Sequence, residues 1–175
     1  MERDFFGDDW EERLQLQFFS EKPWMRKAYV CSPLSAQTEY EFLVNMYAAR
    51  AYMLYAKETL GYLARAPHAY LPMLLCDQNV EERSMALAFG LKLLEDSRIL
   101  LVCGNRLSRG MYGEVVKAVA LDKKILVFDE SLCHEVQKIV VSNQGHRSFV
   151  TLDQSHPIMA DPAPQMHCRK AVFAG

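Results

Sequence analysis

Four mainly apolar runs, KAYVCS (27–32), YLARAPHAYLP (62–72, frayed into a loop by Pro67 and Pro72), RILLVCG (98–104) and KKILVFDE (123–130), alternate with helix-length segments, and this alternation constrains the fold more than any other feature. RILLVCG is continuously apolar, so it reads as a strand covered on both faces. Between the runs, EYEFLVNMYAARAYMLYAKETLG is a long helix stopped at Gly61, and VEERSMALAFGLKLLEDS is a second helix with acids in its first turn. A third helix is expected from about Gly110 to Leu121, and a fourth, SLCHEVQKIVVS, opens at Ser131 as its N-cap. RSFVTL offers one more strand.

Strands that alternate with helices in this way call for right-handed crossovers and a sheet covered on both sides. The expected class is α/β, a Rossmann-like (flavodoxin-like) parallel sheet of about five strands with ligands beyond the strand carboxyl ends. Three regions are expected. Residues 1–25 form an acidic arm carrying Phe5, Phe6, Trp10, Phe18, Phe19 and Trp24, aromatics that need their own domain, a sister subunit or a foreign partner to cover them. Residues 26–150 form the α/β domain, and 151–175 a polar, proline-containing tail.

A formal charge of −2 at pH 7 and a pI near 6.2 give no general attraction to polynucleotides or anionic membranes, so a small molecule is the expected ligand. Five cysteines without a C-x-x-C pair suggest neither a disulfide framework nor zinc, and the scattered His134, His146, His156 and His167 suggest no other metal. No cofactor is expected. The acidic N-terminus and the lack of a run of about twenty apolar residues point to a cytoplasmic protein.

Three segments leave the predicted strand ends and should converge: CSPLS, APHAYLP and GNRLSRGMYGE. The first brings Cys31, Ser32, Pro33 and Ser35, with Cys31 either a nucleophile or a buried thiol. In the third, LSRGMYGEV (107–115) sets Ser108, Gly110, Gly113 and Glu114 close together at a helix start. Ser108 either caps the helix or binds phosphate, Gly110 lets the backbone approach a ligand, and Arg106 and Arg109 neutralise an anion or are simply solvated. Glu114 should aim back toward the crevice, and beside a helix N-terminus it should stay ionised, as a nucleophile or merely a dipole-satisfying acid. His68 titrates near neutrality and suits an acid, a base-stacking group or a loop anchor. Tyr70 either stacks on a base or packs, and Asn45 faces the site or an interface. The stripe Met46, Tyr47, Tyr52, Met53, Tyr55 reads as core or subunit contact.

The order YVCSPLS, APHAYLP, EER, then a strand followed by S-x-G-M-x-x-E resembles the nucleoside 2-deoxyribosyltransferase-like superfamily, in particular a bacterial and phage branch, over about residues 27–130. The spacing Ser108, Gly110, Glu114 is also similar to that of the 2'-deoxynucleoside 5'-phosphate N-hydrolases. The resemblance implies that Glu114 attacks C1' of a (deoxy)ribose and that water or a second base resolves the glycosyl-enzyme. It implies a ligand-binding set of Cys31, Ser32, Pro33, Ser35, Tyr70, Ser108, Arg109, Gly110 and Met111, with Glu114 and His68 catalytic. The partner is then a nucleoside or nucleotide, and the chain a homo-oligomer, dimer or higher. These families place an acid for the departing base in the helix before the third strand. Here that helix offers only Asp96, at its far end, leaving Asp77, Glu81, Glu82 or His68 as substitutes. A non-catalytic nucleotide sensor or sequestering protein on the same scaffold is the competing expectation.

Overall fold

The computed structural model describes residues 25–76, 78–144 and 149–164. The N-terminal arm up to residue 24, Asp77, His146, His167, Cys168 and the chain from 165 onward lie outside the described residues. In chain order the elements are β1 (Arg26–Cys31), α1 (Glu39–Glu58), β2 (Tyr62–Arg65), a 3-10 turn (Pro67–Ala69) and α2 (Leu71–Leu74). There follow α3 (Val80–Asp96), β3 (Ile99–Val102), α4 (Arg109–Ala120), β4 (Lys124–Val127), α5 (Glu130–Ser142), β5 (Val150–Leu152) and α6 (Pro157–Ala160).

The five strands make one all-parallel sheet in the order β2-β1-β3-β4-β5. The alternation of strand and helix thus yields the Rossmann-like α/β architecture expected of it, with the flavodoxin-like strand order. That order reverses between β1 and β3, which pair through Ala28↔Ile99 to Cys31↔Val102. Chains leaving these two strands go to opposite faces, so a crevice opens between them at their carboxyl ends.

Alternation along β1 sorts the core into two halves. Tyr29 and Cys31 pack with Leu100, Val102, Ile125 and Val127 beneath α3, α4 and α5. Ala28 and Val30 face the other way, with Leu101 and Cys103, beneath α1 and Met159 of α6. Helix α1 is capped by Thr38, whose hydroxyl accepts from Glu41 N–H at 3.1 Å, and its Ala48, Ala49, Ala51 and Ala56 let it lie close on the sheet. Gly61 follows with φ +72°, the left-handed conformation that ends a helix at little cost to glycine.

Two boundaries differ from the sequence reading. Helix α5 opens two residues before the expected cap: Asp129, just past β4, accepts from Leu132 N–H at 2.8 Å, and Ser131 is an exposed first-turn residue. The segment expected to be tail from 151 is part of the domain as far as it is described. Met159 is fully buried, its carbonyl accepts from Gly104 N–H at 2.8 Å, and the Tyr52 hydroxyl donates to the Asp161 carbonyl. A single buried side chain in a proline-flanked stretch gives too little periodicity to announce itself.

Helix α3 is unusual in burying only Gly90 and Leu94 of its seventeen residues. Val80, Leu87 and Leu91 lie along one flank and Met85 and Phe89 on the other, all exposed, with Val80 at 79% and Leu87 at 62%. No helix among the described residues is long and apolar enough to cross a membrane.

Candidate functional site

The crevice is built from the ends of β1, β2 and β3. Cys31 ends β1 and Ser32 follows it, and Pro33 turns the chain against Gly104 of the β3 loop, where an added Cβ would lie 3.5 Å from the proline ring. Gly104 holds φ +85°, so the two loops meet through a backbone shape that side-chain-bearing residues resist. Ser108 caps α4, its hydroxyl accepting from Met111 N–H at 3.3 Å. Ser108→Ala should therefore cost about 1 kcal/mol, roughly 2–4 °C in Tm, measurable by thermal denaturation.

Glu114 lies in the second turn of α4, on the face that meets the sheet. Tyr29, two residues before the strand end and on the same side of β1 as Cys31, donates its hydroxyl to Glu114 Oε1 at 2.7 Å. The carboxylate is deeply surrounded yet partly open to solvent, as expected for a crevice floor. Burial raises its pKa from 4.5 to about 7, while Tyr29 and the neighbouring Cys31 thiol act to lower it. This corrects the expectation of a dipole-stabilised, fully ionised acid. The helix dipole acts over the first turn, and Glu114 stands beyond it, where loss of hydration dominates.

His68 is also corrected. Burial lowers its pKa to about 4, so the ring is neutral at physiological pH and is no acid there. Its Nε2 lies 2.7 Å from the Oγ of buried Ser32, joining the β2 turn to the end of β1. The structure thus brings together Tyr29, Cys31 and Glu114 in one cluster and Ser32 and His68 in a second.

Other expected ligands are placed elsewhere. Met111 is buried in the core, its Sδ accepting from Ser108 N–H, so it supports the helix start from below. Cys31 is wholly buried and its thiol, 3.9 Å from the Met111 carbonyl, is pushed up in pKa by burial, the state of a packing thiol rather than a nucleophile. Tyr70 lies beneath the Arg50 guanidinium, 4.7 Å from its ring centroid, in the packing of α1 on the turn after β2. Arg109 and Gly110 are exposed at the start of α4.

Beside the crevice, an open groove of about 680 Å³ runs along Ser35, Tyr40, Asn45, Arg106, Pro162 and Ala163. It does not include Glu114, Ser32 or His68, so this groove lies outside the acid-bearing crevice. Asn45 is oriented by donating to the Leu34 carbonyl at 3.0 Å, which places it in the groove wall. Sequence reasoning missed Tyr29 and Gly90. The signal for Tyr29 was its period-two relation to Cys31 on β1. Gly90 lies on the inward side of α3, where an added Cβ would stand 3.6 Å from the Tyr29 hydroxyl and 3.4 Å from the Pro67 ring.

No curated protein matches this chain. A family model described as "Domain of unknown function (DUF7768)" matches residues 26–128, from the first residue of β1 to just past β4, a span that includes Tyr29, Ser32, His68, Gly90, Ser108 and Glu114. With more than half of its length matched, the chain belongs to the DUF7768 family.

Proposed function

We propose that this protein is a nucleoside or nucleotide N-glycosyl hydrolase or transferase acting at C1' of a (deoxy)ribose through Glu114. The observation that carries this reading is the hydrogen bond from Tyr29 to Glu114 at the carboxyl edge of β1 and β3. It fixes one carboxylate oxygen and leaves the other to meet an electrophile. Displacement at an anomeric carbon passes through an oxocarbenium-like state, which a fixed carboxylate in a poorly solvated crevice stabilises strongly. The amides at the start of α4, with Arg109 nearby, suit a 5'-phosphate. Neutral His68 orients Ser32 as a hydrogen-bonding group for the sugar or phosphate.

The test is mass spectrometry of the purified chain incubated with nucleosides, nucleoside monophosphates and dinucleotides. Released free base is the expected result. An intact nucleotide retained without base release would support the second reading, a nucleotide-binding module, which the half-protonated state of Glu114 near neutrality favours.

A homo-oligomer is part of the proposal, and the uncovered apolar flank of α3 supports it. Replacing Leu87 and Leu91 together by lysine should shift the particle toward monomer in light scattering without unfolding it, since both side chains are exposed. An unchanged particle mass would exclude this flank as the subunit contact.

A further inference from the structure

Resting on the reading of Glu114 as the group that meets C1', we propose that the leaving base is a cationic pyridinium, so that the substrate class is an N-ribosylpyridinium nucleoside or nucleotide. Two observations meet in this proposal: α3 presents Gly90, with no side chain, to the Tyr29 hydroxyl that holds Glu114, and no cationic side chain pairs with Glu114 among the described residues.

A neutral purine or pyrimidine leaves C1' as an anion unless an acid protonates it. Among the described residues, the groups around the crevice do not supply that proton. Tyr29 already donates to Glu114, and burial holds its proton tightly. Cys31 is a wholly buried thiol near both the Met111 carbonyl and Glu114, and burial holds its proton as well. His68 is neutral and bonded to Ser32. At the start of α3, Glu82 accepts from Cys76 N–H and from the Asn79 side chain, while Glu81 is exposed. Asp96 is at the opposite end of the helix, paired with Lys92 at 3.2 Å.

A pyridinium riboside has no need of an acid. When its C1'–N bond breaks, the electron pair falls onto the ring nitrogen, which gives up its positive charge and departs as a neutral pyridine. Glu114 forms the C1'–O bond; water then attacks C1', the carboxylate is released, and one proton goes to solvent. The products are the pyridine base and the free sugar, or the sugar 5'-phosphate when the substrate is a nucleotide. The same cation answers the second observation, because a poorly hydrated carboxylate without an ion-pair partner is stabilised by positive charge brought to it.

The experiment uses the full chain with nicotinamide mononucleotide and nicotinamide riboside against AMP, IMP, dAMP and adenosine. Free base is quantified, and each rate is divided by the uncatalysed rate of the same compound, because pyridinium glycosides are intrinsically more labile. The enhancement for the pyridinium substrates should exceed that for neutral bases by at least ~100-fold, the lower end of what a general acid contributes. Gly90→Asp, whose Cβ the site admits at ordinary contact distance, should narrow that gap by raising the neutral-base rate. Equal or greater enhancement on AMP or IMP, dependent on Glu114, would overturn the pyridinium assignment while leaving the glycosyl chemistry intact. Loss of such neutral-base release in Asp77→Asn would identify the donor that the proposal denies. Base release from neither class would overturn both readings.

Discussion

Glu114→Gln should lower base release by roughly three orders of magnitude or more, the scale seen when a nucleophile is removed, while bound nucleotide is still detected by native mass spectrometry. Glutamine keeps the shape and can still accept from Tyr29, so the loss reports chemistry rather than collapse. A second readout needs no substrate. With a folded pKa of about 7 against 4.5 for the ordinary carboxyl, Glu114 is mostly protonated in the native state at pH 5 and mostly charged at pH 8. Its raised pKa means that the favourable neutral state is present below the unfolded pKa and is lost as pH rises through the folded one. The substitution should leave Tm almost unchanged only below the unfolded pKa of 4.5, with a small effect at pH 5. At pH 8 it should raise stability by about 1–3 kcal/mol, the upper figure being the full cost of the shift. An equal Tm change at both pH values would show that the carboxylate is not held in a desolvated site.

Tyr29→Phe carries the next largest effect. A nucleophilic carboxylate works only when ionised, so the rate of the wild-type chain should rise with pH, with a midpoint near 7, and level off above it. The Tyr29 hydroxyl lowers the Glu114 pKa, and phenylalanine fills the same buried volume without it. The ascending limb should therefore move to higher pH, with about tenfold lost at pH 6 for each unit of displacement and most of the rate recovered at pH 9. Rescue by alkali separates a positioning residue from a merely structural one. A uniformly depressed profile with an unmoved midpoint would assign Tyr29 to packing alone.

The sheet was legible because its strands are largely apolar and its helices carry ordinary boundary signals: a stop at Gly61 after α1, and a start marked by acids in the first turn of α3. Glu114 could be singled out from its spacing to Ser108 and Gly110, since both are fixed by the start of one helix. Its protonation state could not, because desolvation depends on what β1 and α3 lay across it. The same holds for His68, whose ring loses its charge only once the β2 turn is packed against Ser32. Tyr29 escaped notice because a tyrosine in an apolar run looks like core, which it also is, and only its hydroxyl belongs to the site. Gly90 was hidden for the opposite reason. Its contribution is space, and space has no letter in a sequence.

The return of the chain at Met159 bears on how this protein is made. The layer beneath α1 is closed by a side chain that follows β5, and Pro162 and Ala163 complete the groove wall. While the ribosome still holds these residues, β1 and β3 can pair and α4 can settle, but Gly104 N–H and the Tyr52 hydroxyl lack the partners they have in the finished domain. Acid-bearing crevice and neighbouring groove thus mature at different moments of synthesis. A message cut short before codon 156 would yield a chain with its carboxylate in place and one wall of its groove missing.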